Sequence, residues 1–402
     1  MKKLLSQTKK LILLMSVFLV FSINAGLAEE ADTLEEAFKG GSLSGEIGSY
    51  FEFTFAEASD SDYGWANAYL TLKYETLSWN NLEFGARFFA HGELFSDHDD
   101  GTTDPFDTDI ETKFTLPELY LNYSFFDSSN VTIGRWKNVG HTEDKQSEGG
   151  YVRFKEIENV EIVAGIVKRL ADVDHDDSED FGRTNDSQVL DSEDPFGAGS
   201  GPILMFLEGT YQPIDIVTFN PYFMYHDDYA SVFGIDTEIN AEWEDYEVKY
   251  GGAIKYVNVN AEISGSTDAN IFCLQPYIEK GPVKLEFSYS KFDDGDALNQ
   301  PAWMADPFSI VDQDETKGNP GAEVFESKIK YSWDKTWVSY SYATATYDTH
   351  ATEGEGYHDH EFQIGYDITE SFDINVQYCI VSFDDIDNQD YNKIETLMRF
   401  KF

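Results

Sequence analysis

The sequence predicts an all-β fold: a transmembrane antiparallel β-barrel of about eighteen strands, with long extracellular loops and short periplasmic turns. Sixteen strands is the alternative, should two weak ones merge. Three observations predict it. Segments of apolar/polar alternation recur from Ser42 to Phe402, the period of a strand with two unlike faces. The gaps between them segregate by parity. Those after even strands are short (126–129, 158, 212–213, 244–245, 281 and 335), and those after odd strands are mostly long (96–112, 138–148, 171–201 and 293–324). Spanning barrels have such unequal rims; a soluble sandwich has no reason for them. Finally, 31 Phe, 24 Tyr and 7 Trp supply an aromatic-rich outer face, while mean hydropathy stays negative, as a polar lumen requires.

Residues 1–28 read as a cleaved secretory leader. Lys2, Lys3, Lys9 and Lys10 form its charged start, 11–21 its apolar segment, and Gly26-Leu27-Ala28 its small-residue end. Loss of those four lysines takes the formal net charge from −47 to −51. Residues 29–41 form a short periplasmic lead-in, helical near 34–38, and 42–402 form the barrel. Beyond residue 28 no apolar run reaches the length of about 18 residues that a membrane helix needs. A barrel of 16–18 strands encloses an aqueous channel in place of a packed core.

The strands show which face is which. The third has Leu82, Phe84, Ala86, Phe88 and Ala90 against Glu83, Gly85, Arg87, Phe89 and His91. The seventh has Val160, Ile162, Ala164 and Ile166 against Glu161, Val163, Gly165 and Arg169. The eleventh sets Tyr250, Ile254 and Tyr256 against Lys249 and Lys255, and the fourteenth sets Phe325, Ile329, Tyr331 and Trp333 against Glu326, Lys328 and Lys330. The last sets Ile394, Met398, Phe400 and Phe402 against Glu395, Arg399 and Lys401, and its aromatic end suits an outer-membrane strand. Apolar-out and polar-in follows from lipid, where a midplane charge costs about 2–4 kcal/mol. Pro117 and Pro221 weaken two strands, because proline cannot donate a ladder bond. Cys273 and Cys379 fall on the twelfth and seventeenth strands, too far apart for a disulfide.

Charge separates into two populations. The acids crowd the long loops: 96–112 holds six Asp and one Glu, and 171–201 holds ten acids and one Arg. Three readings stand: simple solvation, an acidic mouth that gathers cations, or Ca²⁺ or Mg²⁺ held by carboxylates such as Asp97, Asp99, Asp100, Asp174, Asp176 and Asp177. The Asp97-His98-Asp99-Asp100-Gly101 run lacks EF-hand spacing. Of six arginines, four lie in strands three to seven. Alternation points Arg87, Arg153, Lys155 and Arg169 into the lumen as a basic wall that would guide carboxylates or phosphates. The phase of Arg135 stays open, because Trp136 also fits a belt. The segment 138–148, with His141, Glu143, Asp144, Lys145 and Glu148, is either a channel constriction or an outward loop. His358, Asp359 and His360 read as a loop-rim cluster.

The chain also resembles OprD-like outer-membrane porins. The residues that carry this are Leu34-Glu35-Glu36-Ala37-Phe38-Lys39 with Ser44-Gly45-Glu46-Ile47, then Glu118-Leu119-Tyr120-Leu121-Asn122-Tyr123, Val131-Thr132-Ile133-Gly134-Arg135, Glu148-Gly149-Gly150-Tyr151 and Asn159-Val160-Glu161-Ile162-Val163-Ala164-Gly165. The resemblance implies an 18-stranded barrel with a basic ladder facing an acidic side, passing small and often carboxylate-bearing solutes by diffusion. Arg87, Arg153 and Arg169 would correspond to ladder members by strand and face. This chain departs from that pattern in its few arginines and large acidic excess.

The expected function is passive diffusion of small hydrophilic solutes or ions through the bacterial outer membrane, as a monomer or trimer in contact with lipid and lipopolysaccharide. The alternative is a structural or adhesive barrel whose acidic loops bind divalent cations or a partner. No G-x-S-x-G, H-E-x-x-H or phosphate-loop motif is present, so no catalytic residue is assigned. The acidic charge disfavours nucleic acid.

Overall fold

The structure is a computed structural model. It describes residues 31–402 apart from 57–61, 98–112, 138, 140–145, 172–181, 184–202, 227–229, 262–266, 294–309, 311–320, 350–351 and 384–389. A short helix, α1 (Leu34–Lys39), precedes β1 (Ser42–Ala56), β2 (Tyr63–Glu75), β3 (Leu82–Asp97), β4 (Lys113–Ser124), β5 (Asn130–Lys137), β6 (Gln146–Ile157), β7 (Val160–Ala171), β8 (Leu204–Ile214) and β9 (Val217–His226). The circuit continues with β10 (Ala230–Trp243), β11 (Val248–Ala261), β12 (Ala269–Lys280), β13 (Val283–Phe292), β14 (Glu323–Trp333), β15 (Thr336–Thr349), β16 (Thr352–Thr369), β17 (Phe372–Phe383) and β18 (Tyr391–Lys401). Each strand pairs antiparallel with the next, and β1 pairs with β18 from Glu46↔Lys401 to Ala56↔Tyr391. This closes an 18-strand barrel and removes the free edges that an open sheet would expose. The sixteen-strand alternative is thereby set aside. A two-residue strand, Gly182–Arg183, adds to the β7 backbone at Arg169 and Leu170.

One rim is made of tight turns. Residues there adopt the left-handed conformation that two-residue hairpins demand: Asn80 (φ 50°) and Asn81 (φ 64°), Asn159 (φ 60°), Gly281 (φ 55°) and Asp334 (φ 49°). Trp79 and Leu82 exchange backbone bonds of 2.9 and 3.0 Å across the Asn80-Asn81 pair. The β8–β9 turn falls at 215–216, not 212–213, so Pro213 lies inside β8. Proline is placed where a missing donor does least harm: Pro117 lies where two residues of β4 meet one of β3, between Glu118↔Arg87 and Thr115↔Phe89.

The exterior is apolar. Ile133, Val152, Ile162, Ile166, Leu207 and Ile254 stand out from the sheet and are exposed. Near the tight-turn rim the outer face turns aromatic, with ring contacts at Trp243–Tyr246 (4.5 Å), Tyr331–Trp333 (5.4 Å) and Phe400–Phe402 (6.3 Å). α1 is docked outside this rim. Its N-cap Thr33 Oγ1 accepts from Glu36 N at 3.2 Å, and Phe38 packs its ring on Tyr74 and Phe84.

The inner face changes character along the axis. Toward the long-loop rim it carries a contiguous buried apolar cluster that includes Val163, Val167, Leu204, Phe206, Met224, Val257, Ile271 and Tyr357. Toward the tight turns it is charged. Cys273 and Cys379 are buried thiols on β12 and β17, not joined in a disulfide.

Candidate channel wall

Period-two geometry fixes which side chains can meet. Across the barrel seam, inward-facing Lys393 of β18 sits 2.8 Å from Glu395 and 3.6 Å from Glu52 of β1. Tyr50 Oη donates to Glu395 at 2.6 Å and to Glu52 at 2.9 Å. Six and eight residues further along β18, nearer the tight-turn rim, Arg399 and Lys401 share Asp373 at 2.9 and 3.3 Å. Next around the wall, Lys73 and Tyr120 converge on Glu75 at 3.0 and 2.7 Å, and Arg87 Nη1 is 3.3 Å from Glu118. A cavity of about 430 Å³ lies between these groups, lined by Glu46, Thr71, Lys73, Arg87, Glu118 and Lys401. On β6 and β7, Arg153 (2.9 Å) and Lys155 (2.7 Å) grip the two oxygens of Glu161.

Of the residues expected to form a basic wall, Arg87, Arg153 and Lys155 stand on the inner face, each beside a carboxylate on an adjacent strand. Arg135 and Arg169 stand on the outer face. On β5 the buried Trp136 takes the inward position against Tyr151 (5.2 Å), which turns Arg135 outward with the exposed Ile133. On β7 a β-bulge intervenes: Gly149 pairs with Val167 but Glu148 pairs with Arg169, leaving Lys168 as the extra residue. An inserted residue flips every side chain beyond it. Arg169 thus lies on the exterior, where Glu148 joins it at 3.8 Å and Arg135 at 2.9 Å.

This also moves Glu148 out of the expected constriction loop: it is an outward residue of β6. His141, Glu143, Asp144 and Lys145 lie outside the described residues, while Val139 of the same connection is buried in the inner apolar cluster. A different connection meets the wall. Ile310, between β13 and β14, donates its N–H to Glu326 at 3.0 Å and accepts from Lys328 Nζ at 3.3 Å. Asp359 and Glu361 are buried and inward on β16. His358 and His360 alternate to the outer face, bonded to Tyr342 (3.1 Å) and Tyr340 (2.9 Å), so the His/Asp run is a strand with two faces and not a rim cluster.

Asp97 ends β3; Asp99, Asp100, Asp174, Asp176 and Asp177 lie outside the described residues. Among the described residues no group of three or more His, Cys, Asp or Glu is arranged to hold a metal. Sequence reasoning missed Lys73 and Lys393 as wall residues. It placed Arg399 and Lys401 on the correct face of β18 but could not join them to β1, because closure alone brings the chain's last strand beside its first.

No family model and no curated protein matches the sequence. Solved structures do match. Acinetobacter baumannii OccAB4 is similar at 11% identity and TM-score 0.71, over 90% of this chain and 98% of that one. Pseudomonas aeruginosa OccK3 (OpdO) is similar at 12% and 0.69, over 92% and 97%. Pseudomonas aeruginosa OprD is similar at 11% and 0.67, over 93% and 97%. With its closed 18-strand circuit and its likeness to these structures over 90% or more of its length, the chain has the fold of the OprD/Occ porins.

Proposed function

We propose that this chain is a porin of the bacterial outer membrane, exported by a leader at residues 1–28, that lets small hydrophilic solutes or ions diffuse through its lumen. One observation carries the reading: the barrel is inside-out in polarity. Its exterior is largely apolar with an aromatic girdle, as lipid requires, and its interior carries, beside the apolar cluster, cross-strand ion pairs that need water to be tolerable. An 18-strand wall is too wide for its own side chains to fill. The wall carries both signs, so it orients dipolar or charged solutes without a catalytic group. The acidic loop sequences add an attraction for cations at the mouth.

Single-channel recording of the folded, full-length protein in a planar bilayer tests this. Steady ohmic conductance is expected, and a folded but silent barrel would shift the assignment to a structural or adhesive role. The wall makes a sharper prediction. Replacing Arg87, Arg153 and Lys155 with Gln leaves Glu118 and Glu161 uncompensated in the lumen. The cation-to-anion permeability ratio under a KCl gradient should rise about twofold or more. The Arg135→Gln/Arg169→Gln pair, on the exterior, should leave the reversal potential where it was. Equal responses from the two sets would remove the lumenal assignment.

A further inference from the structure

The exterior cation cluster has no part in the channel, and it breaks the pattern of a chain whose formal charge is −47. Two of only six arginines meet there around one carboxylate. Glu148 Oε2 is 2.9 Å from Arg135 Nε and Glu148 Oε1 is 3.8 Å from Arg169 Nη1. Arg135 also donates to the Leu116 carbonyl at 3.3 Å. Lys168, pushed out by the bulge, and Lys137, two residues beyond Arg135 on the same face, are both exposed. Among the described residues, four cations stand here beside one carboxylate. The strand pairing of Gly182–Arg183 onto Arg169 fixes the backbone beneath it.

Height decides what this patch meets. The outward residues of β7 below it are Val160, Ile162, Ala164 and Ile166, all apolar. From Val160 to Arg169, a rise of about 3.3 Å per residue and a tilt near 40° give roughly 23 Å, close to the apolar band of about 25 Å in such barrels. The cluster therefore stands at the upper edge of the apolar belt, on the long-loop side. Deeper, four charges on the lipid face would be prohibitively costly; higher, they would face only water and acidic loops. At this level the neighbouring groups are lipid headgroups. Guanidinium forks fixed by a shared carboxylate suit phosphate oxygens.

We propose that Arg135, Lys168 and Arg169, with Lys137 at the margin, form a binding site for the phosphate groups of an outer-leaflet glycolipid whose acyl chains lie along Ile133, Val152 and Ile166. This rests on the membrane orientation given under Proposed function. The site fixes a lipid against β5–β7 and leaves the lumen untouched.

The test is native mass spectrometry and lipid titration of the full-length folded barrel, using bis-phosphorylated lipid A and its dephosphorylated form as probes. Wild type should retain the phosphorylated probe at least about tenfold more tightly than the other. The Arg135→Gln/Lys168→Gln/Arg169→Gln variant should lose that preference while keeping its conductance. Because this variant also removes ion pairs, Glu148→Gln provides the second arm. It keeps every cation and deletes the competing carboxylate, so it should bind the phosphorylated probe about threefold more tightly. Weaker binding by Glu148→Gln, or equal binding of both lipids by wild type, would show the cluster to be a strand-to-strand brace only. Conducting channels without lipid discrimination would overturn this site alone; absence of conductance would overturn the porin reading.

Discussion

Gly251→Ala is expected to destabilise the barrel severely. A Cβ at this position would stand 1.9 Å from the Ile239 carbonyl oxygen and 2.9 Å from its carbon. Both are backbone atoms of the paired strand β10, so no rotamer change relieves the overlap. β10 and β11 would have to separate around Asn240↔Gly251 and Ile239↔Gly252, and a closed circuit has no edge at which to absorb that shift. The cost should exceed about 4 kcal/mol, the range reserved for gross steric or packing failure. Two other glycines calibrate the claim. At Gly234 the added carbon meets the Tyr222 ring at 2.0 Å, a side chain that can swing at a cost of about 1–3 kcal/mol. At Gly281 nothing lies within 4 Å and only the φ of 55° opposes alanine, a penalty of about 1–2 kcal/mol. Urea midpoints of the heat-modifiable folded form should fall in the order Gly281→Ala, Gly234→Ala, Gly251→Ala. A Gly251→Ala protein as stable as Gly281→Ala would refute the close-approach argument.

Lys393→Met should weaken the seam. Lys393 is the cation between Glu52 on the first strand and Glu395 on the last, and all three side chains are no more than 15% exposed. Without it, two carboxylates face each other across the closing ladder with the Tyr50 hydroxyl between them. Removing one partner of a buried pair costs about 3–5 kcal/mol; access to a wet lumen should reduce this to roughly 2–3 kcal/mol. Denaturant midpoints should drop accordingly. Adding Glu395→Gln should restore a good part, since the repulsion then disappears. If the double variant is as weak as the single one, the loss comes from packing and not from charge.

Much of this wall could be read in advance because strand faces repeat every second residue. The inward placement of Arg87 and Arg153, and the outward placement of Ile162, Ile254 and Phe400, follow from alternation alone. Loop parity gave about eighteen strands and left sixteen open; the closed pairing of β1 with β18 decided the count. What stayed hidden was whatever depends on counting across a defect or around the circle. The bulge at Lys168 has no residue signature, since neither glycine nor proline marks it, and it moved Arg169 to the opposite face. Trp136 suits a lipid belt and an inner cluster equally well, so Arg135 had no readable phase. Glu148 looked like loop because β6 begins at Gln146, within a polar stretch that alternation does not delimit. The grip of Glu161 on two cations was in reach, as β6 and β7 are adjacent, but the seam around Lys393 required closure.

The bulge at Lys168 also shows how such a wall can change its purpose. In a structure with only two sides, told apart by odd and even, the address of a residue depends on how many residues precede it. Were the ladder regular here, Lys168 would take Glu148 as its partner in place of Arg169. Arg169 would then face the solute and Leu170 the lipid, with no side chain altered in identity. A charge can therefore pass from the lipid side to the channel side by a shift of register alone, and selectivity and lipid attachment become two readings of one segment.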